Sequence, residues 1–187
     1  MALHQNSSVT NSALIVGNYK VEVAPYSATA TTGWTNVGAG KVNKFGHNIT
    51  MLKVQSGNAP DPLEGVGDET FTVDMEMIEF VGTVLSALQG GAITSASTAT
   101  GVTTINGGGN GTITPYAVRL TNTRMVSGAT NQTVIIMYKA TMDSGIQVTA
   151  KSDNDTDPIN VLPVTLTAKL DSTRTVGSQL FSITKNI

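Results

Sequence analysis

Apolar and polar side chains alternate at every second position from residue 69 to residue 80, and this alternation constrains the fold more than any other feature. One face is apolar and carries Phe71, Val73, Met75 and Met77. The other face carries hydroxyls and carboxylates, on Thr70, Thr72, Asp74 and Glu76. A period of two is that of a strand with one buried side. The segment therefore predicts a long strand that packs one face on a core.

Similar patterns elsewhere predict a mainly β protein. Strands are expected at 19–23, 34–37, 48–55, 112–124, 133–140, 146–150, 164–170 and 179–184, with a turn at 38–40. From residue 80 to residue 88 the apolar spacing changes to that of a short helix, which ends at Gly90 and Gly91. We expect an antiparallel β-sandwich or barrel with one flanking short α-helix and a long inter-strand loop.

The chain of 187 residues is long enough for one domain. Residues 1–12 are polar and aperiodic, which predicts a flexible N-terminal arm before a single β domain at 13–187. Residues 56–69 are rich in proline, glycine and acidic residues, and we expect a long loop there. Residues 90–111 are rich in serine, threonine and glycine, and this insertion fits either a flexible segment or a loosely packed hairpin.

Composition excludes several functional classes. Only 13% of residues are charged and the net charge is −2, so no basic field for binding nucleic acid is expected. There is no cysteine, which excludes disulfides and thiolate chemistry, and 28 threonines supply much of the polarity. We expect neither a secretory leader nor a membrane span, because the longest apolar run near the start is short. Synthesis in a reducing cytosol fits these features.

Catalytic and metal-binding motifs are weak, and we expect no enzyme activity, cofactor or metal. His47 has no nucleophile elbow to serve and is interpreted as a loop or surface residue. Asp153, Asp155 and Asp157 resemble the start of a calcium loop, but Pro158 and Val164 stand where that loop needs glycine and glutamate. A solvated acidic turn is the favoured interpretation, with a structural calcium site as the alternative.

Acidic residues are concentrated in one part of the sequence. Seven of the thirteen lie between residues 61 and 79, where there is no lysine or arginine: Asp61, Glu64, Asp68, Glu69, Asp74, Glu76 and Glu79. One interpretation is a solvated acidic edge. The other is a surface that repels phosphate or meets a basic patch on a neighbouring molecule.

Two segments resemble a known family. The run Gly57–Pro62, the strand at 69–80 and the short helix behind it resemble the centre of the major tail tube proteins of long-tailed bacteriophages. Residues 164–183 resemble the closing strand, turn and strand of that group, with Asp171 and Arg174 in the turn. No catalytic signature is part of the likeness.

The resemblance implies a structural virion protein. Members of that family form hexameric rings, which stack into a tube that viral DNA crosses without specific binding. Other tail proteins (tape measure, terminator and distal tail proteins) would be partners, and no membrane is involved. Assembly in the host cytoplasm and residence in the virion tail are implied. The face of Thr70, Thr72, Asp74 and Glu76 is expected to line the lumen. Contact with the next ring is expected from the loop residues Gly57, Asn58, Pro60, Asp61, Pro62, Leu63 and Glu64.

Two alternatives remain at this stage. One is another phage structural part, such as a capsid decoration protein or a baseplate ring component. The other is a carbohydrate-binding or adhesin module, in which Trp34, the only tryptophan, would have to supply a sugar platform.

Overall fold

The structure is a computed structural model that describes residues 18–27, 32–54, 63–78, 88–89, 93–98, 102–107, 113–126, 129–143, 145, 147 and 161–186. Antiparallel strands dominate this part of the chain, as the sequence predicts. The strands are β1 (Tyr19–Pro25), β2 (Thr35–Val54), β3 (Leu63–Met77), β4 (Ile93–Thr98), β5 (Val102–Gly107), β6 (Tyr116–Val126), β7 (Ala129–Met142), β8 (Leu162–Ala168) and β9 (Phe181–Asn186).

Seven strands form one sheet in the order β6-β1-β2-β3-β8-β7-β9. Strand β6 also pairs with β7, so the order of hydrogen-bonded strands returns to its start. Strand β7 pairs with β8 through residues 140–142 and with β9 through residues 132–137, which places β8 and β9 end to end along it. We call β1, β6, β7, β8 and the segments 35–45 and 71–77 the body of the molecule.

The core lies on one face of the body strands. In β3 the four alternating apolar side chains are at most 1% exposed, which confirms the predicted alternation. Strand β8 pairs with this part of β3, and its inner positions are also buried. The body positions that line the core include Val21, Leu120, Ile135, Met137, Leu162, Val164 and Leu166. Burial of these side chains removes apolar surface from water and stabilises the body.

Strand β2 differs from the prediction of two short strands separated by a turn at 38–40, which is wrong. The strand is continuous over 20 residues. Val21 pairs with Gly38 whereas Glu22 pairs with Asn36, so the register shifts at this point. Gly38 has a φ of 120° and lies in this bulge. Glycine is required there because other residues rarely adopt that conformation.

The loop predicted at 56–69 is shorter than expected. Residues 63–69 belong to β3 and pair with β2, from Val54 opposite Leu63 to Ile49 opposite Glu69. Gly67 falls between the pairs Thr50–Asp68 and Met51–Val66, where the register shifts. The glycines that predicted a loop are thus accommodated in a strand with a bulge. Residues 56–62 lie outside the described part of the chain.

Several of the other predicted elements are present, and some lie outside the described residues. The strands expected at 112–124, 133–140, 164–170 and 179–184 correspond to β6, β7, β8 and β9 with shifted ends. For residues 90–111 the hairpin alternative holds, because β4 pairs with β5. The helix expected at 80–88 is outside the described residues except for Leu88, which is fully buried. The N-terminal arm, the core of the strand expected at 146–150 and the three aspartates at 153–157 also lie outside them.

Candidate assembly surface

Strands β2 and β3 continue together beyond the body. Residues 48–54 of β2 and 63–70 of β3 pair with each other, and neither segment has a second strand partner among the described residues. The reason is that β1 pairs only with residues 35–40 of β2 and β8 only with residues 71–77 of β3. We call this two-stranded segment the extension. Seven strand residues span about 23 Å.

The extension exposes large apolar side chains. Ile49, Met51, Leu52 and Val66 are between 51% and 56% exposed. The described part of the chain has nine exposed large apolar side chains. Four of the nine are these residues of the extension. Three more line the cleft beside it, and they are Leu170, Val176 and Ile183. Such clustering is unusual for a free monomer, so we treat this region as a candidate interaction surface.

A cleft of about 820 Å³ separates the extension from the chain that leads into β9. His47 and residues 66–69 form one wall, and Leu170 with residues 176–183 forms the other. Strand β9 pairs with β7 alone among the described strands, so a strand edge borders the cleft on that side. The outer edge of residues 63–70 borders it on the other side.

Aromatic side chains close the base of the cleft. The rings of Phe71 and Phe181 stack with centroids 4.0 Å apart, and His47 meets Phe181 edge-on at 5.3 Å. Nε2 of His47 lies 3.6 Å from a carboxylate oxygen of Glu69. Phe71 is fully buried, so the base of the cleft is anchored in the core.

The wall opposite the extension is organised by a buried carboxylate. Asp171 is 1% exposed and accepts hydrogen bonds from the Tyr26 hydroxyl at 2.9 Å, from the Thr173 amide at 3.2 Å and from Nε of Arg174 at 3.1 Å. Burial by itself raises the pKa of Asp171, but the bonds from Thr173 and Tyr26 and the charge of Arg174 outweigh it and lower the pKa.

The face predicted to line a lumen lies on the side of β3 opposite the core. Thr70, Thr72, Asp74 and Glu76 are all partly exposed. Asp74 accepts a hydrogen bond from the Thr165 hydroxyl at 2.8 Å. Lys44 is directly opposite Asp74 in the ladder, and Lys41 is opposite Glu76. The acidic stretch of sequence is therefore balanced in this region by lysines of the neighbouring strand, which sequence position alone does not reveal.

The predicted inter-subunit residues are only partly described. Leu63 and Glu64 are in strand β3 and not in a loop. Glu64 forms an exposed ion pair with Lys53 at 2.6 Å. Gly57, Asn58, Pro60, Asp61 and Pro62 lie outside the described residues.

Trp34 is half-buried and has a cation over its ring. The guanidinium of Arg119 lies 4.5 Å from the centre of its ring and covers one side. Arg119 and Lys20 each approach Glu22 at 2.7 Å. The hydrogen bond from Arg119 is the main cause of a lowered pKa at Glu22, although burial opposes it. This arrangement is a structural ion-pair cluster with a stacked cation.

Sequence reasoning missed the apolar residues of the extension. Their signal was present, because the stretch 48–55 carries apolar side chains at both odd and even positions. Val66 was missed because the glycines and prolines near it predict a loop. A strand with apolar residues on both faces needs cover on both, and the described residues leave these side chains about half exposed.

Within the described residues, no helix has the length and apolarity to cross a bilayer. No group of three or more histidine or acidic side chains in the same part of the chain is placed to hold a metal ion. The candidate surface is thus defined by apolar side chains and strand edges.

Comparison with known proteins gives no relative: neither a protein-family model nor a curated protein matches this chain.

Proposed function

We propose that this chain is a structural subunit of a bacteriophage tail tube, which assembles with copies of itself into stacked hexameric rings. The observation that carries the proposal is the extension, where four large apolar side chains are about half exposed beside strand edges without a second partner in the described structure. We propose a tail tube as the assembly because residues 57–80 and 164–183 resemble tail tube proteins.

Physical chemistry favours a second copy as the cover. An exposed strand edge with apolar side chains is prone to pair with another chain, and monomeric proteins usually protect such edges. Pairing along a free edge satisfies the backbone hydrogen bonds of both chains. Burial of the apolar side chains at the same contact adds a hydrophobic contribution. Both features occur together on the extension and along the cleft.

The body is proposed to be a closed barrel. The order of paired strands returns to its start through the β6–β7 pairing. This pairing supports a closed barrel in preference to a two-layer sandwich. A barrel has no edges of its own, so within the seven-stranded sheet the edges left for assembly would be those of the extension and β9. A high-resolution map with a gap between β6 and β7 would contradict this architecture.

The face of Thr70, Thr72, Asp74 and Glu76 is proposed to line the channel. Lys41 and Lys44 lie across from the two acids, so the surface combines hydroxyls with paired opposite charges. Such a surface offers no unpaired basic cluster for phosphate, and DNA would pass without being held. In a reconstruction of the tube, Asp74 and Glu76 should face the lumen. Their location on the outer surface would overturn this assignment.

In this proposal the tape measure, terminator and distal tail proteins contact the ends or the interior of the tube, which is assembled in the host cytoplasm and resides in the virion. A baseplate ring or a capsid decoration protein would share the self-associating surface but would not stack into long tubes. A sugar-binding role would have to use Trp34, whose ring has Arg119 over one side.

Electron microscopy of the purified protein over a series of concentrations tests the proposal. We expect rings and hollow rods, whose number rises with concentration. Isolated rings that never stack would favour a baseplate ring component. Dispersed particles at every concentration would contradict self-assembly, and binding of such particles to a glycan column would favour the carbohydrate-binding alternative.

A further inference from the structure

The carboxylate of Asp171 connects three parts of the molecule. It is almost fully buried, and its hydrogen-bond donors come from Tyr26 just after β1 and from Thr173 and Arg174 in the turn between β8 and β9. The guanidinium of Arg174 in turn lies 3.7 Å from the ring centre of Tyr138 on β7. The carboxylate therefore connects the turn to the end of β1 through Tyr26 and to β7 through Arg174.

The backbone of Asp171 is bonded to the far end of the turn. The backbone amide of Asp171 donates to the Gln179 carbonyl at 3.1 Å, and the Gln179 side chain donates to the Arg174 carbonyl at 3.1 Å. Leu170 and residues 176–180, which form most of the wall opposite the extension, lie on this turn or at its ends. The two ends of the segment are bonded to β7, because the Lys169 amide donates to the Lys139 carbonyl and the Tyr138 amide donates to the Leu180 carbonyl. Between these ends no described residue belongs to a strand, so the bonds and contacts of Asp171, Arg174 and Gln179 hold this part of the wall.

We propose that the charged Asp171 carboxylate is a positioning group that holds the 169–180 wall in place, and that its loss or neutralisation releases the wall while the body stays folded. The cleft beside the edge of β9 then loses its fixed shape. The inference concerns the fold of the wall and does not depend on what binds in the cleft.

The expected pH dependence follows from the partners of Asp171. Arg174 faces it from the turn and Tyr26 from the end of β1, and Lys139 of β7 lies 5.4 Å from the Tyr26 ring centre. The pKa of Asp171 is lowered in the folded protein. The contribution of the carboxylate is therefore complete above the pKa of an unfolded aspartate and is lost as the pH falls through the lowered folded-state pKa.

Hydrogen exchange on the dispersed full-length protein tests the inference. The readout is the protection factor of the Thr173, Arg174 and Ser178 amides, which donate within the turn, compared with the amides of β7. In Asp171→Asn we expect the turn amides to lose at least about tenfold in protection, as loss of one hydrogen bond to a charged group implies. The amides of β7 should keep theirs. Asp143→Asn, at an exposed carboxylate, is the matched control and should change neither set.

Two further measurements test the role of Asp171 if Asp171→Asn folds poorly. Tyr26→Phe removes one of the donors and should weaken protection of the turn by a smaller factor. In the wild-type protein, acidification should reduce the protection of the turn before that of β7. Equal loss in the turn and in β7, or an unchanged turn in Tyr26→Phe and at low pH, would overturn the inference. Sedimentation of the wild-type protein tests the proposed assembly separately.

Discussion

Both ends of strand β3 carry apolar side chains, but in opposite environments. At residues 71–77 the inner side chains are at most 1% exposed, whereas Val66 on the same strand is 54% exposed. The difference begins where β8 ends, because Ala168 pairs with Phe71 and no described strand continues along residues 63–70. Alternation thus determines which residues share a face, but the neighbouring strand determines whether that face is buried. We infer that the missing neighbour of the extension is another molecule.

The largest expected contrast comes from a matched pair of leucines. Leu166 is fully buried in the body and Leu52 is 56% exposed on the extension. Leu166→Ala should lower the free energy of unfolding by about 2–5 kcal/mol, because it leaves a cavity. Leu52→Ala should change it by about 0.5 kcal/mol or less. Urea unfolding of the dispersed protein measures both. Similar losses would mean that the extension is covered within the monomer.

A smaller contrast separates two ion pairs. Glu22 in the body has an 8% exposed side chain and binds two basic residues, whereas Glu64 on the extension is 47% exposed and binds Lys53. Glu22→Gln should destabilise the protein by about 1–3 kcal/mol. Glu64→Gln should cost between about 0 and 1 kcal/mol. Thermal unfolding at fixed pH compares them, and a larger cost at Glu64 would reverse the assignment of rigid and open regions.

The smallest effect is the pH dependence of the Glu22 contrast. Since the pKa of Glu22 is lowered in the folded state, its contribution is present above the pKa of an unfolded glutamate and disappears as the pH falls through the folded-state pKa. The difference in stability between the wild-type protein and Glu22→Gln should therefore shrink on acidification. Unfolding curves at several pH values measure this difference, and a constant difference would show that charge is not its source.

Much of the body was predictable from the sequence, because its strands have one clear apolar face. The alternation of β3 and β8 predicts both their existence and their buried positions. Sequence patterns failed where long-range pairing overrides local preference. Gly38 predicts a turn but occupies a bulge, and Gly65 and Gly67 predict a loop but lie in a paired strand. The partner strand supplies the backbone hydrogen bonds in each case, and no local pattern encodes that.

The candidate site was less predictable than the fold. The acidic stretch 61–79 suggests a strongly negative surface, but Lys41, Lys44 and Lys53 of β2 lie across from its acids. Charge balance depends on strand register, which a local sequence pattern does not provide. The exposure of the apolar residues on the extension was not predicted either, because it depends on where the neighbouring strand ends.

The central claim is that the apolar surface of the extension is buried by other copies of this chain, and a double substitution tests it most directly. Met51→Lys with Val66→Lys places two charges on that surface, next to Glu64, Asp68 and Glu69. The control is Thr35→Lys with Thr123→Lys, at exposed body positions. We predict that wild-type and control proteins sediment as large assemblies, while the extension variant sediments as a folded monomer. Assembly of the extension variant to the same extent as the wild-type protein would contradict the claim.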